Sequence, residues 1–260
     1  MRAWLSLLPL VVLLGPANDA PAEPARAAVG VVAERGRVAD PGRPHGFYFI
    51  RAIYHGVGYW PSWRTDSPKA DLQLNVVLRR LLPSLDLAPG FHPVSMADPE
   101  LRRYPFLYSV EVGHWRLSDD EVAGLRSYLA AGGFLFVDDF WGTREWADFE
   151  QDIRRVLPGR PIVELPLSHP VFHTYYDIRK VVQVPNVDNA CSGRPTWEQD
   201  GYVPSIRGIF DDAGRLMVLI DWNSDMGDAW EWAEQSCYAL DYSTYAFQMT
   251  VNAIVYAMSH

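Results

Sequence analysis

Gly132-Gly133-Phe134-Leu135-Phe136-Val137-Asp138-Asp139-Phe140-Trp141-Gly142 places a double glycine, an unbroken apolar run and a pair of carboxylates in succession. A run without polar alternation, bounded by turn residues and flanked by helical patterns, predicts a central strand of a parallel sheet covered on both faces. In open sheets of that kind, ligands gather outside the C-terminal ends of the strands. Asp138, Asp139 and Trp141 therefore mark the expected binding edge.

On either side of this run the same alternation of patterns continues. Before it, Ser118-Asp119-Asp120-Glu121 forms a capping box, and Val122, Leu125 and Leu129 supply the buried stripe of a helix that Gly132 ends. After it, Trp146, Phe149, Ile153, Val156 and Leu157 repeat at helical spacing. Strands are predicted over 47–54, 92–96, 105–110 and 161–165. Asp66-Ser67-Pro68 predicts a helix start, a cap residue followed by Pro at the first helical position. A long functional loop is expected over 186–204, then a hairpin of Ile206–Phe210 with Leu216–Asp221. Phe247, Val251, Ile254, Val255 and Met258 predict one face of a closing helix. Strands alternating with helices predict a three-layer, doubly wound α/β fold with a mostly parallel sheet.

The 260 residues, 48% hydrophobic, suit one sizeable core at 46–260. Arg2 followed by an apolar stretch from Ala3 to Leu14 predicts a signal peptide over 1–27, with cleavage after Ala17, Ala22 or Ala27, and then a flexible linker over 28–45. About 12 apolar residues are too few to span a bilayer as a stable anchor, so no stable membrane span is expected after cleavage. Export to the periplasm or the exterior follows as an expectation. The net charge of −9 argues against nucleic acid or anionic lipid as a partner. Cys191 and Cys237 are the only cysteines; an oxidising compartment would let them pair, and two separate buried thiols is the alternative.

Four predicted strand ends share one composition: Trp60, Trp63 and Asp66; Glu111, His114 and Trp115; Asp138, Asp139 and Trp141; Trp222, Asn223, Asp225, Asp228, Trp230 and Glu231. Their convergence would form a crevice walled by indole and floored by carboxylate. Asp138 and Asp139 should point to opposite faces of the strand. At about 6.5 Å they would repel by roughly 2.5 kcal/mol at an effective dielectric near 20. The N-terminus of a helix starting near Arg144, the Arg51 guanidinium or a bound cation could offset this, with metal ranked last. Asp221-x-Asn223-x-Asp225-x-Gly227 resembles a calcium loop only superficially, since its glycine and distal Glu are misplaced. The acids of the Asp225 loop with Asp138 or Asp139 would suit a hard cation with oxygen ligands, but no zinc pattern, phosphate-binding glycine loop, or Ser or Cys nucleophile elbow is present, and the reading commits to no metal and no cofactor. His169 reads equally as a base or as a polar loop residue.

The motifs Phe49-Ile50-Arg51, Thr65-Asp66-Ser67-Pro68-x-Ala70-Asp71, Tyr104-Pro105-Phe106-Leu107-Tyr108, Tyr128-Leu129-x-x-Gly132-Gly133-Phe134-Leu135-x-x-Asp138-Asp139-Phe140-Trp141-Gly142, His169-Pro170-x-Phe172 and Val251-Asn252-x-Ile254-Val255-Tyr256-Ala257 together resemble the bacterial domain of unknown function 4159 family. The resemblance runs from about Phe47 to the last residue. It implies a class I glutamine amidotransferase-like fold, related to flavodoxin-like sheets, with no established activity. Amidotransferases of that fold carry a Cys on the elbow after a central strand, where this sequence has Asp138-Asp139.

The leading expectation is an exported cell-envelope protein binding a small polar ligand, a saccharide or peptide fragment. Arg51, Trp60, Trp63, Asp66, Trp115, Asp138, Trp141, Asn223, Asp225, Asp228, Trp230 and Glu231 are the candidate ligand-binding residues. A hydrolase using Asp139, Glu111 and His114 as acid and base is the first alternative. A non-catalytic module docking an envelope protein partner is the second.

Overall fold

The Phe134–Asp138 run forms the central strand β4, flanked on one side by β3 (Phe106–Val110) and on the other by β7 (Leu216–Trp222), both parallel to it. This computed structural model describes residues 45–58 and 62–260, so the predicted leader, all of the predicted linker but His45, and Trp60 lie outside the described residues. With β1 (Ile50–Ile53), β2 (His92–Ser95), β5 (Val163–Glu164) and β6 (Ser205–Phe210), the sheet has seven strands in the order β2-β1-β3-β4-β7-β6-β5. The first five in that order are mutually parallel; the β6/β7 hairpin and β5 add an antiparallel edge.

Every residue of β4 is buried because helices cover both faces. Phe134 and Phe136 join Phe106 and Tyr108 on the face covered by α1 (Lys69–Leu81) and by the C-terminal helix, α6 (Leu240–Ser259). Leu135 and Val137 join Leu107, Val218 and Ile220 on the face covered by α2 (Asp119–Ala130) and α3 (Gly142–Val156). The predicted α/β architecture is thus observed. The Ser118 capping box is present, with Glu121 returning a bond to the Ser118 amide. Among the described residues no helix is long and apolar enough to cross a membrane.

Several predicted elements change. Pro68 stands at the cap of α1, outside its first turn, and the Asp66 main-chain carbonyl accepts from Ala70, which leaves the Asp66 side chain free to turn elsewhere. β5 has only two residues, both exposed at the sheet edge. On α6 the buried face is carried by Ala246, Phe247, Met249, Val251, Ala253 and Ile254, while Met258 is 44% exposed near the helix end. Asn252 on that helix accepts from the Tyr175 and Tyr176 amides and donates to the Tyr176 carbonyl, tying that segment to α6. The connection from β5 to β6 holds two short helices, a 3₁₀ turn at Pro170–Phe172 and α4 (Val187–Ser192), the latter inside the stretch expected as a loop over 186–204. Cys191 at the end of α4 is bonded to Cys237, which settles the two readings in favour of a disulfide.

Arg51 on β1 and Asp71 on α1 form an ion pair of 2.9 Å with both side chains fully buried. The guanidinium also donates to the main-chain carbonyls of Trp63 and Thr65, so one charge holds β1, α1 and the intervening loop together. Removing one partner strands the other charge in a dry interior. Asp71→Ala is expected to destabilise by about 3–5 kcal/mol in denaturant unfolding, and the paired change Arg51→Met with Asp71→Leu to recover most of that loss.

Candidate functional site

At the C-terminal edge of the parallel strands lies a cleft of about 370 Å³. The loop before α1 contributes Thr65 and Asp66. The end of β3 contributes Glu111 and His114, and the end of β4 contributes Asp139 and Trp141, with Glu145 behind them on α3. Asn186, Val187 and Asp188, with Glu198, form the opposite wall. Asp225 and Asp228 complete the cleft from the turn after β7 and from α5 (Met226–Glu231). Eight of these side chains are carboxylates, and none is Lys or Arg.

The two adjacent aspartates have different tasks. Asp138 stays on the Phe134 and Phe136 side of the strand, where its carboxylate accepts from the Tyr108 hydroxyl at 2.8 Å and from the Met226 and Gly227 amides at 3.1 and 3.0 Å. It therefore fixes the start of α5. The helix near Arg144, expected to meet this charge, has its first amides occupied by Glu145, Asn223 and Asp200. Asp139 leaves the strand at φ 52°, and its carboxylate takes the Trp141 indole N–H at 2.9 Å while facing the cleft. Asp66, Glu111, Asp139, Gln199 and Asn223 are the described non-glycine residues with left-handed backbone, and all lie in loops at this edge. Such conformations are uncommon outside glycine and gather where function constrains a loop.

Burial drives Asp66, Asp139, Asp225 and Asp228 upward. For Asp139 the next causes are the charges of Glu111, Asp66 and Asp138; for Asp225 they are Asp139, Asp228 and Asp66. Asp66 is raised by burial and by Asp228, with Arg51 opposing. Glu145 and Glu198 are raised by burial as well. His114 lies 2.8 Å from Glu111, whose hydrogen bond raises the imidazole above its ordinary value. Oxygens of Asp66, Asp139 and Asp225 lie within 4.8 Å of one another, as do those of Asp66, Asp228 and Glu231.

Of the residues predicted from sequence, Asp66, Glu111, His114, Asp139, Trp141, Asp225 and Asp228 meet in the cleft, and Glu231 adjoins it. Among the described tryptophans only Trp141 lines the cleft, in place of the expected indole wall. Trp115 is fully buried between Tyr54 and Phe149, and Trp230 between Phe49 and Tyr108. Trp63 packs against the α2/α3 side, and Trp222 stacks with Trp146 and Arg207. Arg51 is committed to Asp71, and Asp138 to α5. The Asn223 amide joins the Gly142 N–H to the Val203 carbonyl. His169 accepts from the Val171 amide at the start of a 3₁₀ turn, a loop role. Sequence reading missed Thr65, Glu145, Asn186, Asp188 and Glu198; the one local signal was Glu145, four residues after Trp141, where its carboxylate meets the Trp141 amide.

These features define an α/β protein with an acidic cleft at the C-terminal rim of its sheet. The family described as Domain of unknown function (DUF4159) matches residues 50–258, and the chain belongs to it. No curated protein matches the sequence.

An acid whose folded pKa exceeds its unfolded value keeps its proton longer in the folded state, so its contribution is full below the unfolded pKa and is lost as pH rises through the folded one. Burial pushes Asp138 up to about 6 and Glu231 to about 7. Stability of the ligand-free protein is therefore expected to fall between about pH 4 and pH 7, by on the order of 2–3 kcal/mol from Asp138 alone. Denaturant midpoints measured across that range check this, and Asp138→Asn should flatten the slope.

Proposed function

We propose that this is an exported cell-envelope protein, periplasmic or extracellular, whose acidic cleft holds a small polar ligand by a positively charged group. An amino sugar or the amine of a peptide fragment has the required chemistry. The observation that carries this reading is the cleft itself: eight carboxylates converge with no Lys or Arg among the lining residues. A cation entering such a site gains charge-assisted hydrogen bonds and relieves the repulsion among the acids. The leader-like first residues and the Cys191–Cys237 disulfide support export.

The order β2-β1-β3-β4-β7 follows the flavodoxin-like pattern, and its switch point lies between β1 and β3, beside Asp66 and Glu111. This supports a flavodoxin-like or class I glutamine amidotransferase-like reading of the fold. The chemistry of the amidotransferases does not follow, because both cysteines are joined in the disulfide and Asp138-Asp139 occupies the elbow.

A second reading, a hydrolase, is favoured by the Glu111–His114 contact of 2.8 Å beside Asp139, which pairs a proton acceptor with a donor at one rim. A third, partner docking, is favoured by Tyr202 and Val203, 62% and 69% exposed, on the loop that also carries Glu198.

Calorimetry and thermal shift with matched amine and N-acetylated sugars and peptides separate these readings. The amine forms are expected to bind and the acetylated forms not to. Glu111→Gln and Glu198→Gln should each weaken binding by about ten- to a hundredfold, the loss of one charge-assisted hydrogen bond. Equal binding of both forms, or no binding by either, would overturn the cationic-ligand reading. Turnover of a panel substrate that disappears in Asp139→Asn would establish the hydrolase instead.

A further inference from the structure

A buried carboxylate is tolerated where hydrogen-bond donors, a counter-charge or a proton offsets it. Asp138 has three donors. The three acids on the cleft floor are poorly provided. Asp139 and Asp225 are 7% and 3% exposed, and each has a single donor, the Trp141 indole and the Asp228 amide. Asp66 Oδ2 is sealed from solvent without a donor, pressed against Gly227, where a Cβ would stand 2.1 Å from it. The nearby Arg51 is committed to Asp71. One oxygen from each of the three acids lies within 4.8 Å of the other two.

We propose that Asp66, Asp139 and Asp225 bind one hard divalent cation, of the calcium or magnesium class, at the floor of the cleft. This rests on the acidic-cleft reading and deepens it. Carboxylate oxygens alone select a hard ion over zinc or copper, which favour nitrogen and sulfur. The Asp66, Asp228 and Glu231 group suits an ion less, because both Asp228 oxygens already accept hydrogen bonds, from the Val187 amide and the Trp232 indole. The calcium-loop pattern in the sequence is not the source of the site. Asp221 is sealed inside the fold, Asn223 bridges two main-chain groups, and only Asp225 of that run reaches the cluster. Three protein ligands leave a six- or higher-coordinate ion with open positions toward the cleft. Hydroxyl or carboxylate oxygens of a bound saccharide or peptide would fill them.

The test uses the chain stripped with chelator and given calcium, magnesium, manganese or zinc chloride singly, read by calorimetry and melting temperature. Terbium luminescence sensitised through tryptophan, with the Trp141 indole bonded to Asp139, reports the same site. The expected result is one ion per chain, a higher melting temperature with a hard ion, and at least about tenfold weaker binding in Asp139→Asn and in Asp225→Asn. Asp120→Asn, exposed on α2, serves as the control and should bind as the parent does. If either site variant fails to fold, the other still decides. No stoichiometric ion at millimolar concentration, or unchanged affinity in both variants, would overturn the proposal. So would variants that melt higher than the chelated parent while no ion competes with terbium, because the acids would then be sharing protons. An amine ligand that binds with chelator present while no ion binds removes the cation and spares the cleft reading; an ion that binds while no panel ligand does so has the opposite meaning.

Discussion

The Asp138 carboxylate is the joint on which the acidic rim of the sheet turns. One side chain at the end of the central strand receives the Tyr108 hydroxyl from β3 and two amides from the start of α5. Three strand ends are thereby held at fixed separation. Asp225 and Asp228 are brought to face Asp139, and Gly227 passes so close to Asp66 that no side chain fits at that position. Burial disfavours the charged form of Asp138, and the donors around it only partly compensate.

Much of the fold is legible in the sequence because the decisive signals are local. An unalternated apolar run has one common explanation, a strand covered on both faces, and β4 obeys it. Ser118 and Glu121 lie three residues apart and cap each other in a single turn. The cleft is only half legible. Acids that follow strands, such as Asp66, Glu111, Asp139 and Asp225, are placed there by the sheet itself. Glu145, Asp188 and Glu198 arrive from a helix and a long irregular loop, where no periodicity ties sequence position to place. The indoles mislead for a different reason. A tryptophan near a strand end can roof a ligand or roof the core, and burying so much apolar area favours the core. Trp115 and Trp230 took that course, and Trp141 reaches the cleft through its bond to Asp139.

Two regions of contrasting polarity therefore share one sheet. Along β1 Arg51, the one fully buried cation among the described residues, is matched by Asp71 and by two carbonyls, and it locks the loop that presents Asp66. At the cleft no Lys or Arg lines the eight acids, and Asp66, Glu111 and Asp139 stand on left-handed backbone. Local arrangements that oppose folding are retained where a site needs them, and the apolar layers on both faces of the sheet supply the surplus stability.

The Cys191–Cys237 bond lies beside this cleft, joining the end of α4 to the segment that leads into α6. The stretch it anchors carries Asp188 directly, and Asn186 at its start holds Glu198. A covalent tether there restricts the wall before any guest arrives, so less disorder remains to be removed on association. Reductive cleavage would lift a restraint on the unfolded chain as well as on one side of the cleft, so the surrounding thiol balance bears on stability and on the shape of that wall together.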